Sequence, residues 1–293
     1  MTNSQPGILA PLPNHSRYIE FSVVADCDPV SCLKQLTLRR VGSDLVIGLG
    51  SGLVQGMGKS VVGLHGFQAE SGPGCEVPST QADLWCWIRG DDRGQNALLG
   101  RELTRALKPA FKVERLVDGF KYETGLDLSG YEDGTENPEG DDAIDAAIAK
   151  GVGVGIDGSS FVSVQQWRHD LDHFDSLSEE TCDNIIGRRI SDNVEFDGSP
   201  ASAHVKRTAQ ESFDPEAFMV RRSLPWGDAS GEGLMFVAFG NSLDAFEAQL
   251  KRMTGQEDGI VDGLFRFTRP LSGSNFWCPP VTDGHLDFSA VGI

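Results

Sequence analysis

"RYIEFSVVA", Arg17 to Ala25, alternates strictly: Ile19, Phe21 and Val23 fall on one face, and Tyr18, Glu20 and Ser22 on the other. A period of two predicts a strand with one buried face. Downstream, "PVSCLKQLTLRRV" reads as a short helix, and "SDLVIGLG" and "ADLWCWIRG" as strands. Asp91 and Asp92 begin a second helix, in which Leu99, Leu103 and Leu107 follow one another at four-residue steps along one stripe. "FKVERLVDGFKY" is strand-like again. The order β-α-β-β-α-β is the ferredoxin-like pattern.

The same order recurs. "SSFVSVQQW" reads as a strand, and "LSEETCDNIIGRR" as a helix with Ser178 as its cap. "FMVRRSLPW" and "GEGLMFVAFG" are strands, and "NSLDAFEAQLKRM" is an amphipathic helix with Leu243, Phe246, Leu250 and Met253 in one stripe. "GLFRFTRP" is expected to close the set as its last strand. A long segment, about Ser191 to Asp214, separates the helix from the next strand, and loops of that length are often functional. The predicted fold class is α+β: two ferredoxin-like halves with antiparallel sheets, residues 1–140 and 141–293. The repeat is one of topology, with no repeat visible in the sequence itself.

Composition narrows the function classes. The chain has 293 residues, 39% of them hydrophobic, enough for a substantial core. With 43 acidic against 25 basic residues its formal charge is -18, which argues against nucleic acid or an anionic membrane as partner. Six scattered cysteines form no CxxC pair and read as reduced structural thiols. The N-terminus lacks the basic start and apolar run of an export signal, and no apolar run reaches membrane-spanning length, so a cytoplasmic protein is expected.

Two phosphate-loop look-alikes fail. "GLGSGLVQGMGKS" has Leu53 where a Walker A loop needs its first glycine, and "GVGIDG" precedes a strand rather than a helix. Among the histidines, His169 and His173 in "QWRHDLDHF" have helical metal-ligand spacing, but Asp170 and Asp172 favour an exposed, charged loop. His204 in "PASAHVKRT" sits among small residues, which let something large and flat approach its imidazole.

"GYEDGTENP" resembles the G-x-x-D-G-T-x-N-P signature of the dye-decolourising haem peroxidases, matched at Gly130, Asp133, Gly134, Thr135, Asn137 and Pro138. "PSTQADLW", "IIGRR", "SAHVKR", "VRRSLPWG" and "DGLFRFTRPLSGSNFWCPP" are similar to further segments of that family, so the resemblance runs from about Arg17 to Pro280. It is nearest the compact bacterial, cytoplasmic, B-type-like subgroup. The family has two ferredoxin-like halves and binds its haem in the C-terminal one.

The resemblance implies a peroxidase that uses haem b (iron protoporphyrin IX) to reduce hydrogen peroxide. It would oxidise dyes, phenols or other one-electron donors through a ferryl intermediate. His204 would be the proximal iron ligand, with Asp262 as its carboxylate partner or merely a helix-end acid. Asp133 and Arg221 would form the peroxide site, with Arg222 pointing to the other side of its strand. Ser223, two residues on from Arg221, would share its face and hydrogen-bond a distal water. Leu234 and Phe236 would wall the pocket or belong to ordinary core, and Arg188 would pair with a haem propionate or end its helix as a solvated cation. Gly130 and Gly134 read as room for a backbone passing close to haem. The resemblance also implies a homo-oligomer. In some relatives a tail like "HLDFSAVGI" docks into an encapsulating compartment shell. The competing reading is a haem-binding or haem-handling, iron-releasing protein without a peroxidase role. It would share His204 but has no need of Asp133 beside Arg221.

Overall fold

The computed structural model describes residues 3–293. The N-terminal half runs β1 (His15–Val23), α1 (Val30–Thr37), β2 (Leu45–Leu49), β3 (Leu84–Gly90), α2 (Arg93–Leu107) and β4 (Phe111–Phe120). Its strands lie side by side in the order β2-β3-β1-β4, all antiparallel, which is the ferredoxin-like arrangement. Asp92 caps α2 by accepting the Gln95 N–H at 2.8 Å. Leu103 and Leu107 bury the inner stripe of α2.

Helix α3 (Gly140–Ala147) leads into the second half. There β5 (Ser160–His169), α4 (Glu179–Ile186), the four-residue α5 (His204–Arg207), β6 (Val220–Arg221), β7 (Leu224–Asp228) and β8 (Gly231–Gly240) follow. The half ends with α6 (Asp244–Met253), β9 (Thr268–Pro270) and β10 (Ser274–Cys278). Strands β10-β5-β8-β7 repeat the order of the first half. The expected last strand, "GLFRFTRP", is instead a 3-10 turn (Gly263–Arg266) followed by the three-residue β9. The strand that completes the half is "SNFWC", Ser274 to Cys278, buried throughout. Its continuous burial erases the alternation by which a strand is recognised in sequence.

The two sheets close on each other. Gly119 of β4 pairs with Trp226 of β7, and Trp277 of β10 pairs with Leu49 of β2. The closure gives the sequence a second interior. Ile19 and Phe21 pack outward beneath α1 and α2. Tyr18, Trp85, Trp87, Trp226, Val237 and Phe239 pack between the sheets. The supposedly polar face of β1 is therefore buried as well. Glu20, on that face, is only 3% exposed, with Oε2 at 3.3 Å from the Arg115 Nε and Oε1 unpartnered. Arg115 in turn donates to the Gln166 Oε1 at 2.9 Å.

The tail returns to the first half, where Leu286, Phe288 and Val291 are buried in its core. All six cysteines are free thiols, and burial pushes Cys86 up to about 12. No helix among the described residues is long and apolar enough to cross a membrane.

Candidate active site

The outer face of the second sheet carries a partly enclosed cavity lined mainly by apolar surface, with a few polar groups converging on it. Its apolar wall comes from Leu234 and Phe236 of β8, facing Phe246, Leu250 and Met253 of α6. These are the alternating strand positions and the helical stripe of the sequence reading. Leu243 departs from the stripe and joins the core of the first half.

His204 lines this cavity at the start of α5. Two glycines allow its segment to approach. Gly187 ends α4 in the left-handed conformation (φ 95°), and a Cβ there would stand 2.3 Å from Val205. A Cβ on Gly263 would meet backbone oxygens of Ile185 and Ser202 at 2.8 and 3.1 Å. The His204 Nδ1 lies 2.8 Å from the Asp262 Oδ2. The other oxygen of Asp262 accepts the Leu264 N–H at 2.8 Å, and the residue is 1% exposed. Asp262 therefore caps its turn and also fixes the imidazole. With Nδ1 occupied, Nε2 is the ring nitrogen left for a ligand, an arrangement typical of metal-bound histidine.

Arg221 and Asp133 line the same cavity. The Arg221 Nε is 3.8 Å from the Asp133 Oδ1, a loose ion pair rather than a hydrogen bond. That Nε is buried and has no acceptor. Asn137 holds the loop to the strand: its Oδ1 accepts the Arg221 N–H at 2.7 Å, and its Nδ2 donates to the Arg221 carbonyl at 3.1 Å. Gly134 serves this grip. It has φ 85°, and a Cβ there would come within 2.6 Å of the Asn137 Nδ2. The turn it makes brings the chain onto Arg221. A Cβ on Gly130 would likewise meet Ile190, at 3.2 Å.

The remaining expected residues are placed differently. Ser223 is buried and does not line the cavity; its hydroxyl accepts the Val237 N–H at 3.4 Å. The strand is interrupted between Arg221 and Leu224, and the hydroxyl replaces a missing ladder acceptor there. Arg222, as expected, turns away from the cavity, donating to the Leu9 carbonyl at 3.3 Å. Arg188 is neither at the cavity nor solvated. It donates to the Glu136 Oε1 at 2.5 Å, the Glu195 Oε1 at 2.7 Å and the Asn193 carbonyl at 2.8 Å, tying the signature loop to the segment after α4.

His169 overturns the exposed-loop reading. It ends β5, is buried and lines the cavity, whereas His173 is exposed on the short helix Leu171–Asp175. No cluster of three or more metal-ligating side chains exists among the described residues. Gln165, Trp167 and His169 all point from β5 into the cavity. The Trp167 Nε1 donates to the Gln165 Oε1 at 3.0 Å, which leaves the buried Gln165 Nε2 without an acceptor. The strand period alone puts these three residues on one face, but in sequence that face is not distinguished from ordinary core.

A haem fits this set of donors. The cavity offers a histidine nitrogen fixed from behind and apolar walls. It also holds two buried N–H donors, on Arg221 and Gln165, that lack protein acceptors. Buried donors are costly to leave unpaired, so a bound group that accepts from them stabilises the site.

The two ferredoxin-like halves thus bring His204, held by Asp262, and the Arg221–Asp133 pair to one apolar cavity. The chain belongs to the Dyp-type peroxidase family: residues 124–283 match the model of its C-terminal region, described as "Dyp-type peroxidase, C-terminal". It is 31% identical over 246 residues to the dye-decolorizing peroxidase of Rhodococcus erythropolis, covering 81% of this chain and 72% of the relative. It is also 31% identical over 224 residues to the dye-decolorizing peroxidase of Mycolicibacterium paratuberculosis, covering 74% of this chain. The match spans 63% of that relative's length. A DypB variant from Rhodococcus jostii RHA1, solved in complex with heme, superposes with a TM-score of 0.84 at 28% identity, covering 96% of this chain and 97% of that one.

Proposed function

We propose that this chain is a haem-dependent peroxidase that reduces hydrogen peroxide and oxidises dyes, phenols or other one-electron donors. One observation carries the reading: His204, held from behind by the buried Asp262, lines a single apolar cavity with Arg221 and Asp133. The overall reaction is H2O2 + 2H+ + 2e− → 2H2O, with the electrons drawn from two equivalents of donor.

In this proposal His204 holds the iron of haem b through Nε2, and residues 141–293 supply most of the pocket. Haem, when bound, supplies the peroxide-binding and redox chemistry. Asp262 accepts the Nδ1 proton of His204, which fixes the tautomer and makes Nε2 a stronger electron donor. Asp133 takes a proton from one peroxide oxygen and returns it to the other, directly or through water. Arg221 stabilises the negative charge that develops on the departing oxygen. Its unpartnered Nε is available for that task. Leu234, Phe236 and Phe246 exclude bulk water, which strengthens both charges.

The proposal extends to a cytoplasmic homo-oligomer, as the family resemblance implies. Docking to a compartment shell would have to use a surface other than the buried side chains of Leu286, Phe288 and Val291.

The test is an absorption spectrum of the purified protein before and after peroxide, together with dye oxidation. A Soret band that responds to peroxide, with turnover, is expected. Reversible haem binding without turnover would favour the haem-handling alternative. The Asp133–Arg221 pair argues against that alternative, because a carrier does not need it.

A further inference from the structure

We propose that His169 and Asp127 form a proton path from the protein surface to the cavity. The inference rests on the peroxidase reading, in which each turnover draws two protons from solvent into an apolar pocket.

His169 belongs to two spaces at once. It lines the cavity, and it also lines an open groove on the outside of the second half. In the groove it meets Arg168 and Asp170 beside it in sequence, Asp172 of the short helix, Glu232 of β8 and Arg269 of β9. Toward the cavity its Nε2 lies 3.0 Å from the Asp127 Oδ1, and its Nδ1 lies 2.7 Å from the Thr268 Oγ1. Asp127 then accepts the Ser129 hydroxyl at 2.5 Å. Asp127, Ser129 and Thr268 all line the cavity, in the same wall as Glu132 and Asp133. Thr268, His169, Asp127 and Ser129 thus form an unbroken chain of side chains, each within hydrogen-bond reach of the next. His169, Asp127 and Ser129 can each release one proton as they accept another; an imidazole does so across its two ring nitrogens. The Thr268 hydroxyl instead donates to the Arg168 carbonyl at 3.1 Å and orients the imidazole.

Charge on Asp127 is compatible with this role. Burial opposes it, but hydrogen bonds from His169 and Ser129 outweigh burial and hold the carboxyl below its usual range. The pair also anchors the loop that carries Asp133, so a purely mechanical role is the reading to be separated from a relay. Glutamine separates the two. Its amide N–H2 can replace the Nε2–H donor to Asp127, but it cannot shuttle a proton.

The experiment compares the wild-type protein with His169→Gln, each loaded with haem. The expected result is an unchanged Soret band and KM for peroxide, with kcat lowered about 10-fold or more in His169→Gln, within the range general acid–base groups contribute. The pH profile of kcat and its solvent deuterium effect should change with it. A His169→Gln protein with wild-type kcat and pH profile overturns the path and leaves the peroxidase reading intact. A wild-type protein without turnover overturns that reading itself. A second measurement needs no turnover and no variant. In the full chain labelled with 15N-histidine, the ring protons of His169 should exchange with solvent rapidly despite their burial. Protons retained for hours would overturn the path.

Discussion

Asn137 grips the backbone of Arg221 on both sides, accepting its N–H at 2.7 Å and donating to its carbonyl at 3.1 Å. The amide acts as an extra strand neighbour for a strand only two residues long. Asp133 and Arg221 are thereby held as one unit, though they lie on separate segments.

Replacing Asn137 by Ala should cost about 1–3 kcal/mol, since two backbone groups lose their partner. It should also slow peroxide consumption while haem binding persists. Asn137→Asp keeps the acceptor and should fall between the two. Denaturant unfolding and stopped-flow absorption measure the two effects.

Arg221→Leu should slow the reaction with peroxide by about 10²–10³-fold, the usual effect of removing a donor that stabilises developing charge. Asp133→Asn should slow it by about 10²–10⁴-fold if the carboxylate moves the proton. Stopped-flow rates at several peroxide concentrations test both. A large loss in Arg221→Leu alone would make Asp133 a positioning residue.

His204→Ala should lose haem and its Soret band. Asp262→Asn should be milder, because an amide oxygen can still cap Leu264, so the fold is retained. Without the negative partner, the His204 ring donates less electron density to the iron. The expected readouts are a higher reduction potential and a weaker iron–histidine stretch in the Raman spectrum.

Glu20 sets a pH dependence of stability. Burial pushes its carboxyl up from 4.5 to about 7, and Arg115 only partly offsets this. The folded state therefore binds a proton that the unfolded chain has released. That stabilisation is complete below the ordinary carboxylate value and is lost as pH rises through about 7. Glu20→Gln keeps the neutral form at every pH. The unfolding free energy of the wild type should fall relative to Glu20→Gln between about pH 4.5 and 7, then level off. Urea unfolding across that range measures it.

The candidate site was legible in sequence mainly through the family resemblance, which singled out the "GYEDGTENP" loop, His204 and the Arg221 that precedes "SLPWG". Composition alone reads that loop as a solvated turn. Ser223 and Arg188 show where spacing stops being informative. Period two puts Ser223 on the right face, yet an interrupted ladder takes up its hydroxyl. Arg188 sits where a haem-facing cation was expected, yet two glutamates hold it elsewhere.

The sequence by itself determined most of the order of strands and helices, though not the strand that completes the second half, together with the α+β class and the signature loop. These follow from local periodicity and turn chemistry, which act over a few residues. Tertiary structure alone decided which polar residues are buried. Closure of one sheet on the other turned the supposedly polar face of β1 into an interior and enclosed Glu20 there. Tertiary packing likewise joined His169 to Asp127 across 42 positions, His204 to Asp262 across 58 and Asn137 to Arg221 across 84. Local propensity cannot encode such pairings. Each forms only after burial has removed water as the competing partner.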